Sequence, residues 1–499
     1  MPAASRDVAV LDIPRPAAKP EDASGFFKQA LRTLRARWQT IAGSEYDVDA
    51  ASLRPDLPGE DIDRLRKQMQ ACLEARGGEV SARARAAALG QAYLALDETG
   101  RERFLRVLAT DFDLAPEAAE EALAALKIAE TAEDRRQARA TLRRALEPPR
   151  LKILRQFSSL PHGVKILVNL RAELMPLARK DPLFAALDDD LKALLATWFD
   201  VSFLELKRIT WDSASGALLE KLIAYEAVHA IESWNDLKNR LDFDRRYFAF
   251  FHPRMPDEPL IFVEVALVEG MADNVQNLLD PTAPVHDPND ADAAIFYSIS
   301  NAQAGLSGIS FGNFLIKRVV DQLSHDFPKL KIFATLSPIP GFMPWLRTRV
   351  AEGDTGLLLP AERKTLAATS GVQRGVKGWL KETLERPDWV NDGAVVKALK
   401  APLMRLCARY LASEKRSRGM AVDPVAHFHL SNGARMERLN WMADRWGPIS
   451  WCGRRDLNPH GLRHRYLKPA CLPVPPRPRR RTLRFLGDNA LRTQQPRLK

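Results

Sequence analysis

Long apolar runs are missing from this sequence. Nothing in it approaches the ~18–20 consecutive apolar residues that a membrane-spanning helix needs, so a spanning role is excluded and a soluble protein is expected. The opening stretch, MPAASRDVAVLDIPRPAAKPEDASG, lacks the short apolar core of a secretory signal, and nothing in it directs export. Cysteine is scarce. Cys72, Cys407, Cys452 and Cys471 lie far apart with no C-x-x-C spacing, so neither a disulfide framework nor a zinc site is indicated, and a reducing, cytoplasmic location fits. Acidic residues are scarce in one place only: residues 453–499 hold thirteen Lys/Arg against two Asp/Glu, which accounts for the whole net charge of +11. Residues 1–452 are balanced. The charge that would suggest a nucleic-acid surface therefore belongs to the tail, and no specific nucleic-acid partner is expected.

What is present divides the chain. A length of 499 residues favours two or more domains. Residues 1–24 are expected to be disordered. Ser24 is a plausible N-cap for a helix carrying Phe27, Leu31, Leu34, Trp38 and Ile41 at helical spacing. Segments rich in Ala, Leu, Glu and Arg, broken at Gly or Pro, then predict a helical domain over residues 25–197. Near residue 200 the pattern changes to short β-branched and aromatic runs: FLELKRITW, RRYFAFFH, EPLIFVEVALVEG, AAIFYSIS and KIFATLS. With the helical segment NFLIKRVVDQLSHDF between the last two, these predict a sheet domain over 198–444, mainly helical again from Met343 to about Glu414. The fold class is α+β. Residues 445–499 form an atypical basic, Arg/Pro-rich tail outside any core.

Three features invite chemistry. After the strand ending at Ser300, Gln303, Gly305, Gly308 and Gly312 precede a helix, a loop able to bring backbone N–H groups and the helix dipole to phosphate oxygens. A ligand such as CoA fits, as does a turn without any ligand. Gly308-Ile309-Ser310-Phe311-Gly312 also matches the G-x-S-x-G nucleophile elbow, but seven residues separate Ser300 from Gly308, where an elbow needs its strand to run directly into the first glycine. Ser337 stands at a strand end before Pro338, where side chains commonly face a cleft. His427 and His429 flank Phe428; in an extended segment they would share one face and could be metal ligands, but no acidic or cysteine cluster completes a site, and one exposed histidine with the other hydrogen-bonded in the core is the expected arrangement. Glu226 and His229 form no metal motif, and a helix-face or capping role is expected of them.

Several stretches, in order, resemble the malonyl-CoA decarboxylase family: WFDVSFLELKRITWDS (198–213), YEAVHAIESWNDLKNRL (225–241), EPLIFVEVAL (258–267), AIFYSISNAQAGLSGISFGNFLIKRVV (294–320), FATLSPIPGF (333–342) and DPVAHFHLSNGARMERLNWMAD (423–444). The resemblance implies an N-terminal helical domain followed by a catalytic domain similar to the GNAT acetyltransferases. It also implies a homotetramer and no cofactor beyond the CoA of the substrate. By it, Ser307, Gly308, Ile309, Ser310, Phe311, Gly312 and Asn313 bind malonyl-CoA, and Ser337 (S-P-I-P-G-F) with His429 (F-H-L-x-N-G-A) forms the catalytic pair, also touching substrate.

Loss of carbon dioxide from malonyl-CoA leaves an enolate, which needs donors at the thioester oxygen and a proton at C2. A serine and a histidine supply these, and no metal is called for. Two departures stand out. Animal members have a glutamate where Ser310 stands, and the family continues after N-W-M-A-D with a small-residue segment and a tyrosine-bearing G-L-M-V-N-Y-x-Y-like motif. Here the basic tail replaces it from Arg445, which suggests a frameshifted or aberrant C-terminus and a weakened enzyme. The intact mass of the native protein tests this; the tail found in a fully active protein would reject it. Alternatives are a CoA-dependent acyltransferase of the same fold, a nucleic-acid binder acting through the tail, and a serine hydrolase acting through Ser310.

Overall fold

A computed structural model of the protein describes residues 53–74, 78–309, 312–354, 356–370, 375–386, 388–416, 419–444 and 471–473. The expected disorder of 1–24, the helix from Ser24 and nearly all of the tail lie outside them. The first layer is helical, as the composition predicts: α1 (Gly59–Glu74), α2 (Gly78–Ala95), α3 (Glu98–Thr110), α4 (Pro116–Ile128), α5 (Ala132–Ala145), α6 (Pro149–Phe157), α7 (Gly163–Ala178) and α8 (Pro182–Trp198). Their starts carry the expected chemistry. Asp97 caps α3 by accepting from Gly100 N–H at 2.9 Å, and Asp181 caps α8 ahead of Pro182 by accepting from Leu183 N–H at 3.0 Å. Within the hairpin of α4 and α5 only Ala122 is buried. In contrast, most of α7 is buried, with Val164, Ile166, Leu167, Val168, Leu170 and Leu174 inside together with two cations, Lys165 and Arg171.

The second layer is a sheet with strand order β1-β2-β3-β4-β5-β6. It is entered through β1 (Glu205–Ile209), α9 (Gly216–Tyr225) and α10 (Trp234–Arg240), then β2 (Arg245–Phe251), β3 (Ile261–Val268) and the single turn α11 (Gln276–Leu279). There follow β4 (Ala293–Asn301), α12 (Gly312–Asp326) and β5 (Ile332–Leu336). Pairing is antiparallel from β1 to β4 and parallel between β4 and β5, the unit that α12 connects. The three-residue β6 (Cys471–Pro473), from the tail, pairs antiparallel with β5.

Side chains alternate across the pleat and both faces are covered. Phe248, Phe250, Val263, Val265 and Phe296 share one core with Leu167, Val168 and Leu191 of the helical layer, while Tyr247, Ala249, Phe251 and Phe262 pack with Leu219, Leu222 and Leu237 of α9 and α10. A further helical group forms its own core through Phe342, Leu346, Leu399, Leu403, Leu406 and Tyr410. It comprises α13 (Phe342–Ala351), α14 (Pro360–Ser370), α15 (Val376–Glu385), α16 (Gly393–Ser413) and α17 (Pro424–Ser431).

Two irregularities shape the site. Between Glu264↔Ser298 and Val265↔Phe296 the register of β3 and β4 shifts, which leaves Tyr297 as a bulge residue. Parallel pairing of β4 with β5 covers only Ala293–Phe296 against Ile332–Thr335, whereas β4 runs on to Asn301. Beyond Phe296 the end of β4 therefore runs on without β5 as its partner, at the C-terminal ends of the strands where open α/β sheets receive ligands.

Candidate active site

Ser337 stands one residue beyond β5, held extended by the proline that follows it. His429 lies on α17, and its position is written into the local sequence. Asp423 accepts from the N–H groups of Val425 and Ala426, both at 3.0 Å, and Pro424 opens the first turn. Gly433 ends the helix with φ of +84°, and His429 O accepts from the N–H of Ala434 at 3.0 Å. The expectation of a shared face for His427 and His429 rested on an extended chain and is corrected: residues two apart on a helix point ~200° apart. His429 is 3% exposed, whereas His427 is only half-buried.

The structure joins Ser337 and His429, 92 residues apart in sequence, with Oγ and Nε2 separated by 3.0 Å. Ser337 is 8% exposed. Burial disfavours the imidazolium and pushes His429 down to about 4, so at neutral pH the ring is neutral and the pair carries no charge. Either partner can donate across the contact, according to the imidazole tautomer.

At the same edge of the sheet, the loop after β4 is built against the helical layer. Arg171 of α7, which is 2% exposed, donates through Nη1 to the carbonyls of Gly305 (2.6 Å) and Ser307 (2.8 Å), and through Nε to Asp188 (2.8 Å). Lys165, six residues earlier, donates to Gln303 Oε1 at 2.6 Å, and Gln303 Nε2 donates to Pro259 O at 2.9 Å. Burial lowers the Lys165 ammonium while the Glu258 carboxylate opposes that shift. Gly305 is required by space: a Cβ there would stand 1.8 Å from Val168 O. Gly308 is required by conformation, at φ of +75°, and a Cβ on it would lie 3.3 Å from Lys192 Nζ of α8. A cleft of about 360 Å³ opens there, with Lys192, Phe199, Gly308 and Ile309 among its lining.

Of the residues expected to bind substrate, Ser307, Gly308 and Ile309 therefore lie on this braced loop, and Gly312 and Asn313 open α12. Ser310 and Phe311 lie outside the described residues. The short 3-10 turn Ala304–Leu306 separates β4 from Gly308, so the strand does not run into the glycine as an elbow would. Glu226 does cap a turn, as expected: its Oε1 accepts from the N–H groups of Val228 (2.8 Å) and His229 (2.7 Å). It also receives the hydroxyls of Ser298 and Ser300 on β4. Sequence reasoning missed Lys165, Arg171, Lys192 and Asp423. Only Asp423 had a local signal, the D-P pair that starts a helix.

Among the described residues no group of three His, Cys, Asp or Glu is placed to hold a metal, and no helix is long and apolar enough to cross a membrane. A family model described as the malonyl-CoA decarboxylase C-terminal domain matches residues 202–448, and one described as the N-terminal domain matches residues 112–199. The chain is 41% identical over 332 residues to a mitochondrial malonyl-CoA decarboxylase of Mus musculus, covering 64% of this chain and 66% of that protein. It is 40% identical over 319 residues to one of Anser anser anser, covering 62% of each. The chain thus spans about two thirds of the length of these relatives. Among solved structures, a malonyl-CoA decarboxylase from Rhodopseudomonas palustris is 38% identical with a TM-score of 0.70, over 83% of this chain and 92% of that one. One from Agrobacterium vitis is 36% identical with a TM-score of 0.69, over 82% and 92%. With both family models matched in order and 92% of a solved relative covered, the chain belongs to the malonyl-CoA decarboxylase family.

Proposed function

We propose that the chain decarboxylates malonyl-CoA to acetyl-CoA and carbon dioxide, with Ser337 and His429 as the catalytic pair. The observation that carries this is the buried 3.0 Å Ser337–His429 contact, just beyond the C-terminal end of β5, at the end of the sheet where its parallel neighbour β4 runs on into the glycine-rich loop leading into α12. The coenzyme's phosphates meet the backbone of Ser307–Asn313, the N-terminus of α12 and Lys192. Its pantetheine arm then runs along the end of β4 that β5 leaves unpaired, and the malonyl end meets the pair. As the bond from C2 to the carboxylate breaks, its electrons pass into the thioester as an enolate. The Ser337 hydroxyl donates to the developing oxyanion, and C2 receives its proton through His429, whose ring takes up a proton from solvent and returns to the neutral form when it passes that proton to C2. The thioester takes the electron pair, so the proposal calls for no separate cofactor.

The domain division at residue 198, an acetyltransferase-like catalytic part, a cytoplasmic location and assembly into a tetramer belong to the same proposal. The buried free thiols of Cys72 and Cys407 suit a reducing compartment, and Leu123, Ile128 and Leu146, exposed on or just beyond the α4–α5 hairpin, offer an apolar surface for self-association. The test is incubation with malonyl-CoA, following acetyl-CoA by mass. His429→Ala is expected to abolish turnover while leaving CoA binding largely intact, and a near-normal rate in that variant would overturn the assignment.

A further inference from the structure

The two members of the pair come from different segments, and something must hold those segments in register. One carboxylate joins them. Asp423, 2% exposed, uses Oδ1 to cap α17 through Val425 and Ala426, and its Oδ2 accepts from the N–H of Gly341 at 2.9 Å. Gly341 lies four residues after Ser337, and Asp423 six residues before His429. The approach is close: a Cβ on Gly341 would stand 2.1 Å from Tyr410 Oη and 3.2 Å from Asp423 Oδ2. The helix that bears the imidazole and the turn that bears the hydroxyl are thus tied to the two oxygens of a single buried side chain.

We propose that Asp423 is a positioning residue for the decarboxylation, acting by holding the Ser337 turn and the His429 helix at contact distance. It touches no reacting atom. The inference rests on the decarboxylase reading. Misplacement of a reacting group by about 1 Å costs on the order of a hundredfold in rate, so a tie of this kind has a measurable consequence.

Asp423→Asn separates the two functions of the carboxylate. Its amide oxygen still caps α17, but its NH₂ meets the Gly341 N–H donor to donor, which breaks the tie. The expected result is a kcat lowered ~10–100-fold, with KM for malonyl-CoA and the shape of the pH profile close to wild type and a melting temperature lowered modestly by the unsatisfied Gly341 N–H. Asp423→Ser, whose hydroxyl caps the helix but is too short to reach Gly341, should behave alike. The proposal is overturned if both variants turn over at the wild-type rate. It is equally overturned if they shift the pH profile without lowering the plateau, or lose rate only in proportion to lost folded protein. Absence of carbon dioxide release from the wild-type protein would instead sink the decarboxylase reading.

Discussion

His429 illustrates how far burial sets chemistry at the scale of a residue. Its side chain is held neutral by removal from water, with no acidic partner to offset that effect. The folded state therefore binds the proton less readily than the unfolded chain does. Stability from this group is fully present above the ordinary value of 6.5 and is lost as pH falls toward about 4. By the conversion of about 1.4 kcal/mol per tenfold change in proton affinity, the loss is on the order of 3 kcal/mol. Denaturant titrations from pH 7 to pH 4 should show a shallower decline for His429→Gln than for the wild type, and parallel curves would refute this account. The role proposed for His429 came from resemblance alone. The helix that buries it was missed, the segment having been read as extended, although Asp423-Pro424 at one end and Asn432-Gly433 at the other carry the local signals of a helix start and stop.

At the scale of elements, the strands and their order of appearance were plain because alternation and β-branching are local signals; all five runs read from the sequence lie in the sheet. The bracing of the loop was not, because it depends on contacts made across long separations. Arg171 reaches Gly305 across 134 residues of sequence, and no periodicity or cap announces that. Within α7 it simply interrupts an apolar helix. Replacing it by Met leaves Asp188 half-buried without its cation and two loop carbonyls without a donor, and breaking a buried pair of this kind costs about 3 kcal/mol. Arg171→Met is expected to lower the unfolding free energy by roughly that amount and to raise KM for malonyl-CoA more than it lowers kcat. A variant with unchanged KM would show that the loop keeps its shape without the brace.

The whole molecule adds a constraint that composition does not reveal. Reading two patterns along the chain suggests two separable parts, yet Leu167, Val168 and Leu191 of the helical layer lie in one continuous core with Phe248, Val263 and Phe296 of the sheet. Cutting between them exposes apolar surface on both sides. A fragment of residues 200–444 is expected to be insoluble or molten, binding hydrophobic dye and lacking the near-ultraviolet dichroism of packed aromatics. A fragment with a sharp cooperative melt would count against a shared core.

Gly305 has no space for even a methyl group against the carbonyl of Val168 behind it, so the turn has no room to recoil. Any yielding needed to admit a bulkier acyl nucleotide has to come from its solvent-facing lip at Gly308, whose left-handed backbone leaves glycine there free to swing where an alanine would stiffen it.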